Sequence, residues 1–226
     1  MNKPAIMLIE SADANVVNDL SAESCAIKSL GNLLELGIDV RTCRCAGDLE
    51  RFAVQFNSFG YCALYFSAHG DQNGLGIPDR YSVIGWDYLV KIFDFKVPDL
   101  TSLILSSCQA FDGNGLVEAF SNSPGVKPKN LFGFKDPLAI RDCIPAASLL
   151  LRAMSTNDSA EIAAAMASVY LSTKADLWHY VHNEKTNEYD YVGGEQILRF
   201  ICDPTERPKG WFDGLIRDRG LCSSLN

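Results

Sequence analysis

The chain switches between two hydrophobic periods. Nearly continuous apolar runs at residues 4–10 (PAIMLIE), 61–68 (YCALYFSA), 102–107 (SLILSS) and 130–134 (NLFGF) are too short for helices and read as strands buried on both faces. Residues 38–45 (IDVRTCRC) alternate, which is the period-2 signature of a strand. Between these runs the period lengthens. Ile27, Leu30 and Leu34 recur at helical spacing from Ser21 to Glu35, with Gly37 as the stop. Residues 48–58, carrying Leu49, Phe52, Val54 and Phe56, predict a second helix, and residues 86–94 (WDYLVKIFD) a third.

Further on, residues 121–130 (SNSPGVKPKN) have the composition of a loop. Pro145 opens a helix at its first turn, where a missing N–H costs nothing, and Ala147, Leu150, Leu151 and Met154 follow it. Another helix over 158–172 places Ile162, Met166 and Val169 on one face. Strands alternating with helices predict an α/β fold: a mainly parallel sheet flanked by helices on both faces. Past residue 173 the pattern changes. WHYVHNEKTNEYDYVGGEQILRF is polar and aromatic, without helical period, and predicts strands or a hairpin added to the core. The expected division is therefore a core over 1–173 and a C-terminal extension over 174–226 packed on the same domain.

Composition narrows the function. The 226 residues, 47% of them hydrophobic, suffice for one large domain with a full core and exclude a disordered chain. No apolar run reaches eighteen residues, so no membrane span is expected. The N-terminal apolar stretch is short, meets acidic residues at once, and reads as a first strand rather than a signal peptide. A net charge of −8 repels phosphate backbones and argues against nucleic-acid partners. Most of the eight cysteines lie in apolar segments, and the expectation is reduced, mostly buried thiols in a cytoplasmic protein. Cys43 and Cys45 fall on one face of the strand at 38–45, at a spacing unusual for zinc. His179 and His182 read as solvated surface residues, and DQNGLG (71–76) does not follow a first strand as a dinucleotide loop would.

The chemistry concentrates at two strand ends. The run at 61–68 stops on His69-Gly70, and the run at 102–107 stops on Cys108. Reactive groups in open α/β sheets gather at the carboxyl ends of the strands, and neighbouring strands lie about 4.8 Å apart. A thiol is a poor nucleophile until deprotonated, and an adjacent imidazole takes that proton. Gly70 lacks a side chain, so its backbone N–H can approach a substrate carbonyl oxygen. With the Cys108 N–H it forms a candidate oxyanion hole, each donor worth about 3 kcal/mol.

Phe66-Ser67-Ala68-His69-Gly70 and Leu105-Ser106-Ser107-Cys108, together with the order of elements from about residue 4 to 155, resemble the caspase-like cysteine peptidases. That group includes caspases, metacaspases, legumain, clostripain, gingipains, separase and the bacterial CHAT peptidases. LFGFKDPLAIRD (131–142) looks like the family's next strand and the loop after it, and the serine-rich approach to Cys108 is nearest to the CHAT members. The resemblance implies a caspase-like fold and a dyad in which Cys108 is the nucleophile and His69 the general acid and base. It implies no metal or organic cofactor and a protein or peptide substrate. It further implies a regulated cytoplasmic protease acting on a specific partner, in bacterial defence or cell death. The chain departs from the family in places. Q-A-C-[RQG]-G is replaced by S-S-C-Q-A, and His69 precedes Cys108 by 39 positions (108 minus 69). Ser106 stands where metacaspases often carry an acid.

Further candidates surround the pair. Asp71 and Asp112 can orient His69 or line the mouth of the site, or act as loop acids that cap turns. Asp13, just past the first strand, and Asp136, with Lys135 and Arg141 in the loop after Phe134, are candidates for substrate binding. An acidic pocket selects Lys or Arg at P1 and a basic one selects Asp or Glu, and both charges are present. Two rival readings stand beside the peptidase: a catalytically inactive caspase-fold interaction module that binds a regulatory partner protein, and a flavodoxin-like small-molecule binder. The second needs a phosphate-cradling loop after the first strand, where SADANVV has no glycine.

Overall fold

A computed structural model of the protein describes residues 5–11, 17–78, 82–94, 102–137, 139–156, 159–203 and 205. In chain order the elements are β1 (Ala5–Ser11), α1 (Val17–Leu33), β2 (Gly37–Cys43), α2 (Ala46–Phe59), β3 (Ala63–Ser67), β4 (Gly70–Asp71), β5 (Gly74–Ile77), β6 (Ser82–Gly85) and α3 (Trp86–Phe93). They continue as β7 (Ser102–Ser106), α4 (Gly115–Asn122), β8 (Asn130–Phe134), α5 (Ile140–Thr156), α6 (Ser159–Thr173), β9 (Leu177–Asn183), β10 (Glu188–Gly193) and α7 (Gly194–Cys202).

Seven strands form one sheet in the order β10-β9-β8-β7-β3-β1-β2. The β2, β1, β3, β7 and β8 strands are mutually parallel, while β9 and β10 run antiparallel at one edge. Alternation along each parallel strand divides the core in two. Met7, Ile9, Leu64, Phe66, Leu103 and Leu105 face α2, α3 and α4, among Phe56, Phe93 and Phe120. Ile6, Leu8, Tyr65, Ile104 and Phe132 face α1, α5, α6 and α7, among Ile27, Leu151 and Met166. Burial on both faces explains the continuous apolar runs. The fold is α/β, with a mostly parallel seven-stranded mixed sheet flanked by helices.

Several local readings change. The α1 helix stops at Leu33 rather than at Glu35 with Gly37 as its stop: Glu35 turns left-handed at φ 58°, the Leu36 N–H returns to Gly31 O at 2.8 Å, and Gly37 opens β2. Cys45 leaves the strand and becomes the residue before α2, and Cys43 Sγ donates to its carbonyl at 3.5 Å, so the two cysteines do not share a strand face. Pro145 lies inside α5 rather than in its first turn. The missing N–H bond there is offset by burial of Ala146, Ala147, Leu150 and Leu151 beyond it. The glycine-rich segment after His69 forms a separate antiparallel sheet, β4-β5-β6. At the C-terminal side the expected hairpin is β9–β10, and α7 follows it, burying Ile197 and Phe200. Among the described residues no helix is long and apolar enough to cross a membrane.

Candidate active site

Parallel pairing brings the carboxyl ends of β1, β2, β3, β7 and β8 to one edge of the sheet. Ser67 of β3 is the register partner of Ser106 of β7, and the Ala68 N–H continues the ladder to Ser106 O at 3.3 Å. His69 and Cys108 each lie two residues past that last pair, so the two chemistry-bearing residues occur at equal steps beyond adjacent strand ends. His69 is exposed and Cys108 half-buried.

The small sheet fixes the His69 side. The Gly76 N–H donates to His69 O at 2.8 Å, and Ser11 Oγ, at the end of β1, donates to Gly76 O at 3.0 Å. Gly70 begins β4 and pairs with Leu75. Its backbone presses on the loop before the cysteine: a Cβ on Gly70 would stand 2.9 Å from Ser107 Cβ and 3.0 Å from Ser107 Oγ. Only a residue without a side chain fits there.

The Cys108 side is a tight turn. Gln109 takes a left-handed φ of 53°, and the Asp112 N–H closes back on Gln109 O at 3.0 Å. The Gln109 and Phe111 N–H groups donate to Asp136 O and Phe134 O at 3.4 and 3.2 Å, which lashes the turn to the end of β8. The Phe111 ring then lies against Gly133, where a Cβ would come within 2.7 Å of it.

The flanking acids separate by role. Asp71 Oδ1 accepts from the Asn73 and Gly74 N–H groups at 2.7 and 3.2 Å, so its carboxylate caps the β4–β5 turn. Asp112 accepts from Gln109 Nε2 at 3.4 Å, inside its own turn. Asp136 is brought to the cysteine turn by its backbone carbonyl, and its side chain is exposed. Lys135 sends its ammonium over the Trp178 ring, 5.3 Å from the centroid. Asp13 and the Arg141 side chain lie outside the described residues.

The other thiols differ from Cys108 in setting, and fewer are buried than the sequence suggests. Cys25 and Cys202 are exposed and Cys45 and Cys62 half-buried. Burial pushes the Cys43 and Cys143 thiols up to about 12, with Asp48 adding to the first and Glu23 to the second, which keeps them protonated and unreactive. His179 is not solvated. It is 8% exposed, stacked on Phe132 with centroids 4.3 Å apart, and its Nε2 is 2.9 Å from Asn130 Oδ1. His182 lies three residues on, so strand alternation points it to the opposite face, where its Nε2 meets Asn187 Oδ1 at 3.3 Å. The two histidines cannot share an ion.

The sequence reading assigned no structural role to three polar residues. Glu23 of α1 is buried and accepts hydrogen bonds from Tyr65, Ser67 and Ser106. Its signal was an acid at position 23 of the apolar stripe 23-27-30-34. Ser67 and Ser106 were visible as hydroxyls closing otherwise apolar strands.

No family model matches the chain, and no curated protein matches its sequence.

Proposed function

We propose that this chain is a cysteine endopeptidase of the caspase-like kind. The observation that carries the reading is the equal placement of His69 and Cys108 two residues past the Ser67–Ser106 register pair, with Gly70 pressed against Ser107 between them. Adjacent parallel strand ends are about 4.8 Å apart, a separation that a thiol and an imidazole span. In the proposed reaction His69 takes the Cys108 proton and the thiolate attacks the peptide carbonyl carbon. The Gly70 and Cys108 N–H groups receive the oxyanion. Collapse of the tetrahedral species expels the amine, which takes its proton from His69 and leaves a thioester. Water, deprotonated by His69, hydrolyses the thioester and regenerates the thiol. The chemistry asks for no metal or organic cofactor. By analogy with the family, the substrate is a specific protein partner and the setting a regulated one, in defence or cell death.

The test is a mixed peptide library offered to the purified chain and to Cys108→Ala. Cleavage by the parent that vanishes in the variant supports the reading and reports the P1 residue. Equal cleavage by both rejects Cys108 as nucleophile. Binding of a partner protein without cleavage, unchanged in Cys108→Ala, favours the inactive interaction module.

A further inference from the structure

The two strand ends share one buried anchor. Glu23 is 1% exposed. Its Oε1 accepts from Tyr65 Oη at 2.7 Å and Ser106 Oγ at 2.6 Å, and its Oε2 accepts from Ser67 Oγ. The donors come from both strands of interest, two from β3 and one from β7. Ser67 and Ser106 are the final register pair of those strands. Each lies two residues before a member of the candidate dyad, which is the same-face spacing of a strand. Cys108 accordingly packs against the α1–α5 side of the core.

A carboxyl in this position is costly. Burial raises its pKa, and the hydroxyls of Ser106, Ser67 and Tyr65 oppose that rise. Packing does not require it, since Ile27 fills the next position of the same helical stripe with an apolar side chain. What an apolar residue cannot do is hold two strand ends at one point. Three directional bonds converging on one carboxyl restrict sliding and splaying of β3 against β7 just where the sheet ladder is ending.

We infer that Glu23 is a positioning residue: its carboxyl clasps the ends of β3 and β7 and thereby sets the separation of His69 and Cys108, an inference that rests on the peptidase reading. Glu23 holds the strand ends by its bonds to Tyr65, Ser67 and Ser106. It acts through Ser67 and Ser106.

The test treats the intact chain with limiting iodoacetamide and follows each cysteine by mass spectrometry, below the melting temperature of every variant. The parent, His69→Ala, Glu23→Ala and Glu23→Gln are compared. Cys108 of the parent is expected to react about tenfold or more faster than in His69→Ala. Glu23→Ala is expected to lose about tenfold of that rate through misplacement. Glu23→Gln keeps an acceptor oxygen and offers an amide to Ser67 Oγ, so it stays within about threefold of the parent. A purely structural role would lower the melting temperature of Glu23→Ala and leave the Cys108 rate of folded protein unchanged, and that result overturns the inference. Should Glu23→Ala fail to fold, the Ser67→Ala/Ser106→Ala double variant decides: a comparable loss upholds the clasp and an unchanged rate overturns it. A parent whose Cys108 reacts no faster than in His69→Ala defeats the peptidase reading itself, whatever the Glu23 variants show, and the inference falls with it.

Discussion

Gly70 and Ser107 pack so closely that a Cβ on the glycine would lie 2.9 Å from the serine's Cβ and 3.2 Å from Gly74 O. Gly70 follows His69, and Ser107 precedes Cys108. Their contact is the point where the two halves of the candidate site touch. Ser107 is 3% exposed, and its hydroxyl has no hydrogen-bond partner among the described residues, so little room exists for it to retreat. Gly70→Ala is therefore expected to push the loops apart, lowering stability by about 1–3 kcal/mol and, under the proposed peptidase reading, peptide cleavage by about a hundredfold. Adding Ser107→Gly removes the nearest clash and should restore part of the activity. Full activity in Gly70→Ala would refute this account of the contact.

Gln109, next to the candidate nucleophile, holds a left-handed φ of 53°. Non-glycine residues pay about 1–2 kcal/mol for that region, and β-branched ones most. Gln109→Gly should leave the melting temperature unchanged or raise it slightly, since only a 3.4 Å bond to Asp112 is lost. Gln109→Val should destabilise by about 2 kcal/mol. Thermal unfolding of the two variants, compared directly, checks the ordering; equal melting temperatures would show that the turn relaxes at no cost.

The parallel sheet and the adjacency of the strand ends that precede His69 and Cys108 were legible for one reason: apolar strands that end abruptly in polar residues mark the sheet and its carboxyl edge. The β8 strand, NLFGF, is bounded as read. The end of α1 was misjudged because Gly37 is the obvious stop, whereas Glu35 makes the left-handed turn. The β4-β5-β6 sheet had no readable period, since its strands span two to four residues and include Gly70, Gly74, Gly76 and Gly85. Glu23 was visible as an acid on an apolar stripe, but its partners are 42, 44 and 83 residues away, and no local pattern reports such bonds. His179 was misread because its neighbours in sequence are polar, while its neighbours in space are Phe132 and Asn130.

Asp176 joins the end of β8 to α7. It is 9% exposed, accepts from Trp178 Nε1 at 2.7 Å and from the Glu195 N–H at 2.9 Å, and its backbone carbonyl accepts from the Lys135 N–H at 3.2 Å. Removal of the carboxylate strands the indole N–H of half-buried Trp178 and an N-terminal helix amide together. Asp176→Ala is expected to cost about 2–3 kcal/mol in urea unfolding, and Trp178→Phe, which removes one donor with its ring largely preserved, about 1 kcal/mol. Similar midpoints for parent and Asp176→Ala would mean that solvent replaces both bonds.

His179 should make the protein acid-sensitive. Burial lowers its pKa from 6.5 to about 3. The unfolded chain therefore binds this proton first as the pH falls. Stability is full above about pH 6.5, declines progressively below it, and stops declining near the folded-state value, where the native ring protonates as well. At pH 5 the loss from this group is about 2 kcal/mol, from 1.4 kcal/mol per pH unit below the unfolded pKa. His179→Phe keeps a ring over Phe132 and removes the titration. Denaturant unfolding of parent and variant at pH 7, 5 and 4 measures the difference, and other titrating groups, Glu23 included, cancel between the two curves. The gap between the curves should shift in favour of the variant by about 2 kcal/mol from pH 7 to pH 5. Parallel curves would mean that the native protein admits the proton at His179 without penalty.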